Sequence, residues 1–370
     1  MHIIIKKNII DEIIEIVSKF TDPISSFYGM RCILINTDDN KITFKATNEI
    51  TNIIKSIDVD NTDVIVKKPG EILIQANIFK NIIKKLNGFI EIEKISNSNL
   101  IEIKQDSSRY TLNTSDVKTF PKIDESTNTK EIEINTDNFK KAVKNVAFAA
   151  SNENNLIYKC INFRSNGNKL NLTATDSYRL AFYTINTNYV LDDFEFSVNA
   201  KDVKDLIPSD APKVVKLFYN SIKVGIKYDN TVITSRITDL PYHDIESLFT
   251  KVMSETKYKV TINKNELNNL LNKIWIGTND KQNRIEIKIK KNELSIFTKL
   301  DEIGDSFVKT ENLELEGSNL EFDINYNYLK EALSVFDDEL YILVDEKIQK
   351  ILIISKSNPN TKQLISPMRR

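Results

Sequence analysis

Residues 259–274 read KVTINKNELNNLLNKI and contain the pattern on which the fold depends. The first four residues alternate between polar and apolar side chains, as in a half-buried β-strand. Asn263 follows as a candidate helix N-cap. Apolar residues then recur at the spacing of one helical face, at Leu267, Leu270, Leu271 and Ile274. The stretch therefore predicts a strand that leads directly into an amphipathic helix.

The same strand–helix pattern occurs five more times along the chain. Each copy has a short apolar or alternating run followed by a helical apolar stripe. The six predicted helices are Lys7–Phe20, Ile78–Leu86, Thr136–Val146, Ala200–Ile207, Lys264–Ile274 and Tyr326–Phe336. Short alternating runs between them, such as Lys41–Lys45 and Lys169–Ala174, indicate further strands joined by polar turns.

The copies fall into three sets, each about a third of the chain. Ile42–Asn48 aligns with Leu170–Asp176 and, more weakly, with Leu294–Leu300. Polar residues at 124–129 and near 253–256 separate the sets. We predict an α+β protein of three similar domains, each with two helices and mostly antiparallel sheets. The predicted domains are residues 1–126, 127–253 and 254–370. Accidental similarity in a chain rich in Ile, Lys and Asn is the alternative.

Composition excludes several classes of protein. Lys and Arg number 51 against 52 Asp and Glu in 370 residues, so a generally basic protein that coats nucleic acid is excluded. The eight glycines are scattered, and no two are close enough to form a phosphate-binding loop. The two cysteines, Cys32 and Cys160, and the two histidines, His2 and His243, do not give the spacing of a zinc finger or ribbon.

No motif in the sequence carries catalytic chemistry. Ser115–Lys118 and Ser254–Lys257 have Ser-x-x-Lys spacing but lack the companion motifs of penicillin-recognising enzymes. We therefore predict no catalytic residues, no metal site and no cofactor, although carboxylates that converge from several elements are not visible in a sequence. Early lysines, no long apolar run and few cysteines predict a cytoplasmic location.

Three short segments stand out against the repeats. Residues 173–181 read TATDSYRLA, residues 364–370 read LISPMRR, and residues 116–124 read DVKTFPKID. Together they resemble segments of the β sliding clamp family of bacterial replicative DNA polymerases, and they occur in the family's order over the whole chain. The resemblance implies a head-to-tail homodimer whose six domains close into a ring around duplex DNA, with twelve helices lining the hole.

Such a ring needs a mildly positive bore that holds phosphates without reading sequence. In the six predicted helices lysines outnumber acids, whereas the whole chain has a net charge of −1. The candidate DNA-binding residues are Lys80, Lys84, Lys85, Lys140, Lys141, Lys144, Lys201, Lys204 and Lys273. For any single lysine, an ordinary solvated helix face is the alternative.

The resemblance also implies a cleft between the middle and last domains. It would receive short apolar peptides from the replicative polymerase, the clamp loader and repair proteins. The motif matches assign one wall to Thr175, Ser177, Tyr178, Arg179 and Leu180, and the other to Leu364, Ile365, Pro367 and Met368. Further matching positions are Tyr158, Leu248, Asn325 and Tyr328. Core roles for Leu180 and Ile365, and a buried ion pair for Arg179, are the alternatives.

Some positions depart from the family pattern or concern the dimer. Tyr242-His243-Asp244 stands where the family has Phe-Pro-Asp or Tyr-Pro-Asp, and Ser247 and Arg370 also differ, which affects the rim of the cleft.

The resemblance assigns the dimer contact to Tyr110 and Leu112 on one side and to Trp275 and Ile276 on the other.

Two other classes of function stay open at the level of sequence. One is a repeat-built scaffold for protein interactions that does not encircle DNA. The other is a metal-dependent nuclease or another enzyme. The positive charge of the helices favours the clamp over the scaffold, and the lack of a visible carboxylate cluster argues against the enzyme.

Overall fold

The computed structural model describes residues 1–126, 128–151, 153, 155–274, 283–300 and 304–369. Backbone contacts divide the chain into two units. The first contains Met1–Asp137 and Asp202–Ile237, and the second contains Asn138–Lys201 and Thr238–Arg370. Each unit has helices packed on antiparallel sheets, which agrees with the predicted α+β class.

All six predicted helices are present, and the described residues contain a seventh that the sequence analysis missed. The helices are α1 (Lys7–Val17), α2 (Ala76–Ile83), α3 (Thr136–Ala147), α4 (Ala200–Asp205), α5 (Ile245–Ser254), α6 (Lys264–Ile274) and α7 (Tyr326–Leu333). None of them is both long enough and apolar enough to span a membrane.

Most of the chain between the helices is β-strand. The first third contains β1 (His2–Lys6), β2 (Cys32–Thr37), β3 (Lys41–Thr47), β4 (Thr51–Asp58), β5 (Val64–Lys68), β6 (Gly70–Gln75), β7 (Phe89–Lys94), β8 (Leu100–Gln105) and β9 (Ser108–Asn113). The middle third contains β10 (Lys130–Asn135), β11 (Cys160–Asn166), β12 (Lys169–Thr175), β13 (Arg179–Asn186), β14 (Glu195–Asn199), β15 (Val214–Tyr219), β16 (Lys223–Tyr228) and β17 (Thr231–Arg236). The last third contains β18 (Thr256–Asn263), β19 (Arg284–Lys290), β20 (Glu293–Leu300), β21 (Gly304–Thr310), β22 (Leu313–Glu316), β23 (Leu320–Asn325), β24 (Glu339–Asp345), β25 (Ile351–Ile354) and β26 (Thr361–Ile365).

The first unit contains two sheets. One has five strands in the order β5-β1-β7-β8-β9. The other has eight, in the order β10-β15-β16-β17-β4-β3-β2-β6. The eight-stranded sheet joins strands of the first and middle thirds where β17 pairs antiparallel with β4.

The second unit repeats this arrangement. One sheet has nine strands in the order β14-β11-β12-β13-β26-β25-β24-β18-β22, and the other has four in the order β21-β20-β19-β23. Strands of the middle and last thirds meet where β13 pairs with β26. The middle third is therefore shared between the two units. It contributes two groups of four strands, or half-sheets: one continues a sheet of the first third, and the other continues a sheet of the last third. The exact domain boundaries stay a prediction.

The helices pack by the apolar stripes that predicted them. Leu267, Leu270, Leu271 and Ile274 of α6 are all buried in the core of the second unit. Each such side chain contributes about 1.5–3 kcal/mol of transfer free energy. The predicted N-cap also forms, because the side-chain oxygen of Asn263 accepts a hydrogen bond from the backbone N–H of Asn265 at 2.8 Å.

One predicted helix start is wrong. The sequence pattern predicts a helix over Ile78–Leu86, whereas α2 begins two residues earlier, at Ala76. Ala76 is buried, so packing rather than a side-chain cap sets the start. The predicted end is closer, because 3₁₀-type hydrogen bonds continue from Ile83 to Leu86.

Candidate functional site

The two segments that carry the family resemblance meet at the pairing of β13 with β26. Leu180 lies opposite Leu364, and Arg179 lies opposite Ile365. Beyond the strands, the backbone N–H of Ser366 donates to the carbonyl oxygen of Tyr178 at 2.8 Å. Residues almost two hundred positions apart in sequence therefore form one site. We name it the seam site: the turn 175–180 together with the C-terminal segment 364–368.

The turn is held by its own side chains. The carboxylate of Asp176 accepts hydrogen bonds from the backbone N–H groups of Tyr178 and Arg179, both at 3.0 Å. The hydroxyl of Thr175 donates to the carbonyl oxygen of Arg179 at 2.6 Å and accepts from the N–H of Ser177 at 3.1 Å. These bonds fix an Asx-type turn that leaves the ring of Tyr178 60% exposed.

Arg179 is a structural anchor of the turn. Its Nε donates to Asp176 at 3.0 Å, and a terminal nitrogen donates to the carbonyl oxygen of Phe148 at 2.6 Å. The guanidinium also forms an ion pair with Glu331 of α7. Its central carbon lies 4.3 Å from the centre of the Tyr328 ring, a cation–π contact. Arg179 therefore takes part in a half-buried ion pair, as the structural alternative supposed.

Strand alternation divides the predicted wall residues between two faces of the sheet. Leu180 and Leu364 are buried in a cluster with Phe182 and Phe249. Ile365 is buried in the opposite core, against which Tyr328 packs. Burial raises the pKa of the Tyr328 hydroxyl, and the charge of Asp176 raises it further. Leu180 and Ile365 are therefore both core residues, as the alternative interpretation of each supposed.

The unpredicted helix α5 covers the face that carries Leu180 and Leu364. Its buried residues Ile245, Phe249 and Val252 belong to the same apolar cluster, and Leu248 packs at the edge of that cluster. The Asp244 carboxylate caps the helix by accepting from the N–H of Ser247 at 3.3 Å. An acidic cap followed by apolar residues at helical spacing was the signal in the sequence.

The segment that departs from the family pattern also contacts the site. The ring of His243 stacks on Tyr158 with ring centres 5.9 Å apart. The adjacent Tyr242 is half-buried, and burial of its hydroxyl raises the pKa of that group; the hydroxyl donates to the carbonyl oxygen of Thr173 at 3.4 Å. The departure at His243 therefore lies beside the predicted rim residue Tyr158, whereas Arg370 lies outside the described residues.

The C-terminal segment is fixed in place beyond the last strand. The N–H of Met368 donates to the carbonyl oxygen of Asp323 at 2.8 Å, and Lys350 donates to the hydroxyl of Ser366 at 3.0 Å. Pro367 and Met368 are half-buried. Asn325 caps α7 by accepting from the N–H groups of Asn327 and Tyr328, so its side chain orients the helix that carries Tyr328.

The candidate DNA-binding lysines differ in their surroundings. Lys80 and Lys84 both bind the carboxylate of Glu15 on α1, at 2.7 and 2.6 Å. Hydrogen bonds from these two lysines lower the pKa of Glu15, and the same contact raises the pKa of Lys84. No pattern in the sequence predicts this pairing. Exposed side chains belong to Lys85, Lys140, Lys141, Lys144, Lys201, Lys204 and Lys273.

The predicted dimer contact is described on one side only. Tyr110 and Leu112 are half-buried on β9, the last strand of the five-stranded sheet. Trp275 and Ile276, assigned to the other side, lie outside the described residues.

Comparison with known proteins identifies the family. Models of the DNA polymerase III beta subunit match the N-terminal domain at residues 1–124, the central domain at 133–244 and the C-terminal domain at 252–369. The chain belongs to the DNA polymerase III beta subunit family. This confirms the resemblance carried by residues 173–181 and 364–370.

Individual members of the beta subunit family match along their whole length. The chain is 30% identical to the beta sliding clamp of Mycoplasmopsis pulmonis over 378 residues, with both proteins fully covered. It is 25% identical to the beta sliding clamp of Bacillus subtilis, again over both full lengths.

Solved structures agree on the fold. The DNA polymerase sliding clamp of Bacillus subtilis superposes with a TM-score of 0.93 at 24% identity, covering 100% of this chain and 99% of that one. The DNA polymerase III beta subunit of Pseudomonas aeruginosa gives a TM-score of 0.92 at 19% identity, with both chains fully covered.

Proposed function

We propose that two copies of this chain close into a ring around duplex DNA and act as a non-enzymatic sliding clamp for the replicative polymerase. Family membership supports the clamp, and the repeated pairing between half-sheets supports the ring. That repeated pairing is the observation that carries the proposal.

Two junctions within the chain have the same register. At one of them Thr234 of β17 lies opposite Asn52 of β4. At the other Leu364 of β26 lies opposite Leu180 of β13. Thr234 is reached by following the paired residues from β10 to β17, and Leu364 is reached by following them from β18 to β26. The two residues therefore occupy the same position in the repeated sheet. Asn52 and Leu180 correspond in the same way, because their hairpin partners Thr47 and Thr175 continue the ladders that begin at Gln75 and Asn199, each the last strand residue before a helix.

A third junction of this kind would join two protomers. The same ladders give Thr111 of β9 the place of Thr234, and they give Asp305 of β21 the place of Asn52. Among the described strands, β9 pairs only with β8, and β21 pairs only with β20. Joining the five-stranded and four-stranded sheets gives nine strands, the size of the sheet at the second internal junction. We therefore place Thr111 opposite Asp305 of the partner subunit.

The side-chain faces are compatible with this register. Tyr110 and Leu112 lie opposite Ile103 and Ile101, so they point to the core side of their sheet. Ser306 of the partner subunit, which would face Tyr110, also lies on the core side of its own sheet, because its neighbour Thr298 is buried. On the outer side Arg109 would lie opposite Phe307, which is 58% exposed in the isolated chain.

Encirclement of DNA is the property that separates a clamp from a scaffold. A closed ring stays on nicked circular DNA at high salt because the linkage is topological, whereas ordinary phosphate contacts are lost as salt rises. We expect salt-resistant retention on the circle and release when the DNA is linearised. Retention that does not depend on circularity, or no retention after loading, would contradict the clamp and favour the scaffold.

The helix lysines supply the diffuse positive charge for this role. Lys85, Lys141 and Lys144 are exposed and are not ion-paired with another described residue. Replacing all three by Glu is expected to impair loading and to lower the salt slope of DNA binding by about one per lysine removed. The matched control replaces three exposed lysines outside the six repeated helices, Lys67, Lys251 and Lys290. Equal losses in both variants would show that these helices do not carry the DNA contacts.

We further propose that the seam site binds short apolar peptides of the polymerase and other partners. The buried leucines of the sheet are surrounded by exposed and half-buried groups at the surface of the site. These groups are Ser177, Tyr178, Leu248, Pro367 and Met368. Leucine, methionine and proline with a few polar edges suit an adaptable groove for one apolar anchor. Arg179 acts through the turn that it holds.

A further inference from the structure

We propose that His2, Glu91 and Glu93 form a binding site for a divalent transition-metal ion, with Zn²⁺ as the representative. One ligand atom from each of the three side chains lies within 4.8 Å of the other two. The Nε2 atom of His2 is 2.5 Å from a carboxylate oxygen of Glu91. The site is separate from the seam site and from the proposed ring contact, so it does not rest on either proposal.

Strand register brings the three residues together. His2 of β1 lies directly opposite Glu93 of β7, and Glu91 is two residues away on the same face. The intervening residues Ile3 and Ile92 are buried, so the three polar side chains point to the outer face. This convergence from two strands far apart in sequence is why a search for Cys and His spacing predicted no metal site.

The backbone holds the ligands before any ion arrives. The first residue is tied to the sheet, because the N–H of Lys94 donates to the carbonyl oxygen of Met1 at 2.9 Å. Met1 itself is buried. His2 therefore does not sit on a loose terminus, and binding does not have to order it.

The donor set suits a borderline metal ion. Imidazole nitrogen and carboxylate oxygen are both zinc ligands in proteins, and three protein ligands leave a fourth position for water. Two carboxylates balance the charge of a divalent ion. The side chains of His2, Glu91 and Glu93 are 20%, 34% and 43% exposed, so an ion can reach them from solvent.

The lysine that pairs with Glu93 does not block the site. Lys104 lies 3.7 Å from Glu93 but only 2.7 Å from Glu102. Glu102 also accepts a hydrogen bond from Arg109 and is nearly buried. Lys104 therefore stays paired with Glu102 when Glu93 binds a metal ion.

The composition of the chain makes the test unusually clean. His243 is the only other histidine, and both cysteines are buried. Untagged full-length protein is titrated with Zn²⁺ by calorimetry, and the ring signals of the two histidines are followed by NMR. We expect one ion per chain and perturbation of the His2 signals alone. The matched control His243→Gln is expected to bind as the parent does.

Two variants probe the ligands separately. His2→Gln is expected to weaken Zn²⁺ binding at least tenfold, and Glu93→Gln is expected to weaken it measurably while leaving the histidine in place. Zn²⁺ should also raise the melting temperature of the parent and of His243→Gln but not of His2→Gln, since an ion that binds only the folded state stabilises it. Equal affinity in His2→Gln and the parent, or no binding at 100-fold molar excess of Zn²⁺, would overturn the site.

Discussion

Ser177 has a left-handed backbone conformation, with φ of 75°, at the tip of the turn in the seam site. A β-branched side chain is strained there, whereas glycine is not. We expect Ser177→Val to reduce the free energy of unfolding by about 1–3 kcal/mol relative to Ser177→Gly. Urea denaturation of both variants measures the difference, and equal stabilities would mean that the turn relaxes to accept the side chain.

Both cysteines are protected from thiol chemistry in the folded chain. Burial raises the pKa of the Cys32 thiol to about 12, above its ordinary value of 9.0. Because the reactive species is the thiolate, little reagent should react near pH 8. A chromogenic disulfide reagent is expected to detect no thiol in the native protein and two after denaturation. A fast-reacting thiol in the native state would contradict this burial.

The sequence could predict which residues lie at the seam site but not what each one does. Thr175 to Leu180 and Leu364 to Met368 carry the motif, and the structure brings them together. The role of Arg179 depends on Phe148, Tyr328 and Glu331, which come from distant parts of the chain. Such convergence is decided by strand pairing, which local patterns do not report.

Among the secondary-structure elements, those with strong periodicity were the predictable ones. The apolar stripe of α6 gave the start of the helix correctly, at Lys264, and all four predicted positions of the stripe are buried. In contrast, α5 has only one buried face over ten residues and follows a polar loop, so it was not recognised. The pairing of Glu15 with Lys80 and Lys84 was also missed, because it depends on how α1 packs against α2.

The C-terminal element has a buried part and a half-buried part. Leu364 and Ile365 are core residues of β26, whereas Pro367 and Met368 lie beyond the strand and are half-buried. Met368→Ala is expected to weaken binding of a clamp-binding peptide by about 1–2 kcal/mol, and deletion of 367–370 should abolish it. Fluorescence titration of a labelled peptide measures both effects.

A control distinguishes loss of contact from loss of fold. Ile365→Ala, in the buried strand, should lower stability by about 2–5 kcal/mol without removing the exposed contact residues. Equal peptide affinity in the parent, Met368→Ala and the deletion would show that the C-terminal segment is not part of the partner site.

For the whole molecule, the proposed register can be tested with a cross-link. Directly opposed residues on paired strands have Cβ atoms about 4.5–5.5 Å apart, close enough for a disulfide to form with small adjustments. The variant with Thr111→Cys and Asp305→Cys is expected to form covalent dimers under oxidising conditions. The variant with Thr111→Cys and Phe307→Cys, displaced by two residues, should cross-link poorly.

A charge at the same contact should separate the subunits. Tyr110→Asp combined with Leu112→Asp is expected to give folded monomers by analytical ultracentrifugation, because two carboxylates would replace half-buried apolar side chains at the sheet edge. A dimer that survives both replacements, or stronger cross-linking in the displaced pair, would show that the subunits meet elsewhere.

The proposed contact between the edge strands β9 and β21 has a consequence beyond the dimer. Because β9 and β21 are unlike, this contact would make each chain a bifunctional monomer whose ends add to one another in only one direction. Such a monomer cyclises if the rotation from one subunit to the next closes after two copies, and it polymerises if that rotation does not close. A substitution that changed this rotation is therefore expected to convert closed pairs into growing filaments, even with every contact residue at the edges unchanged.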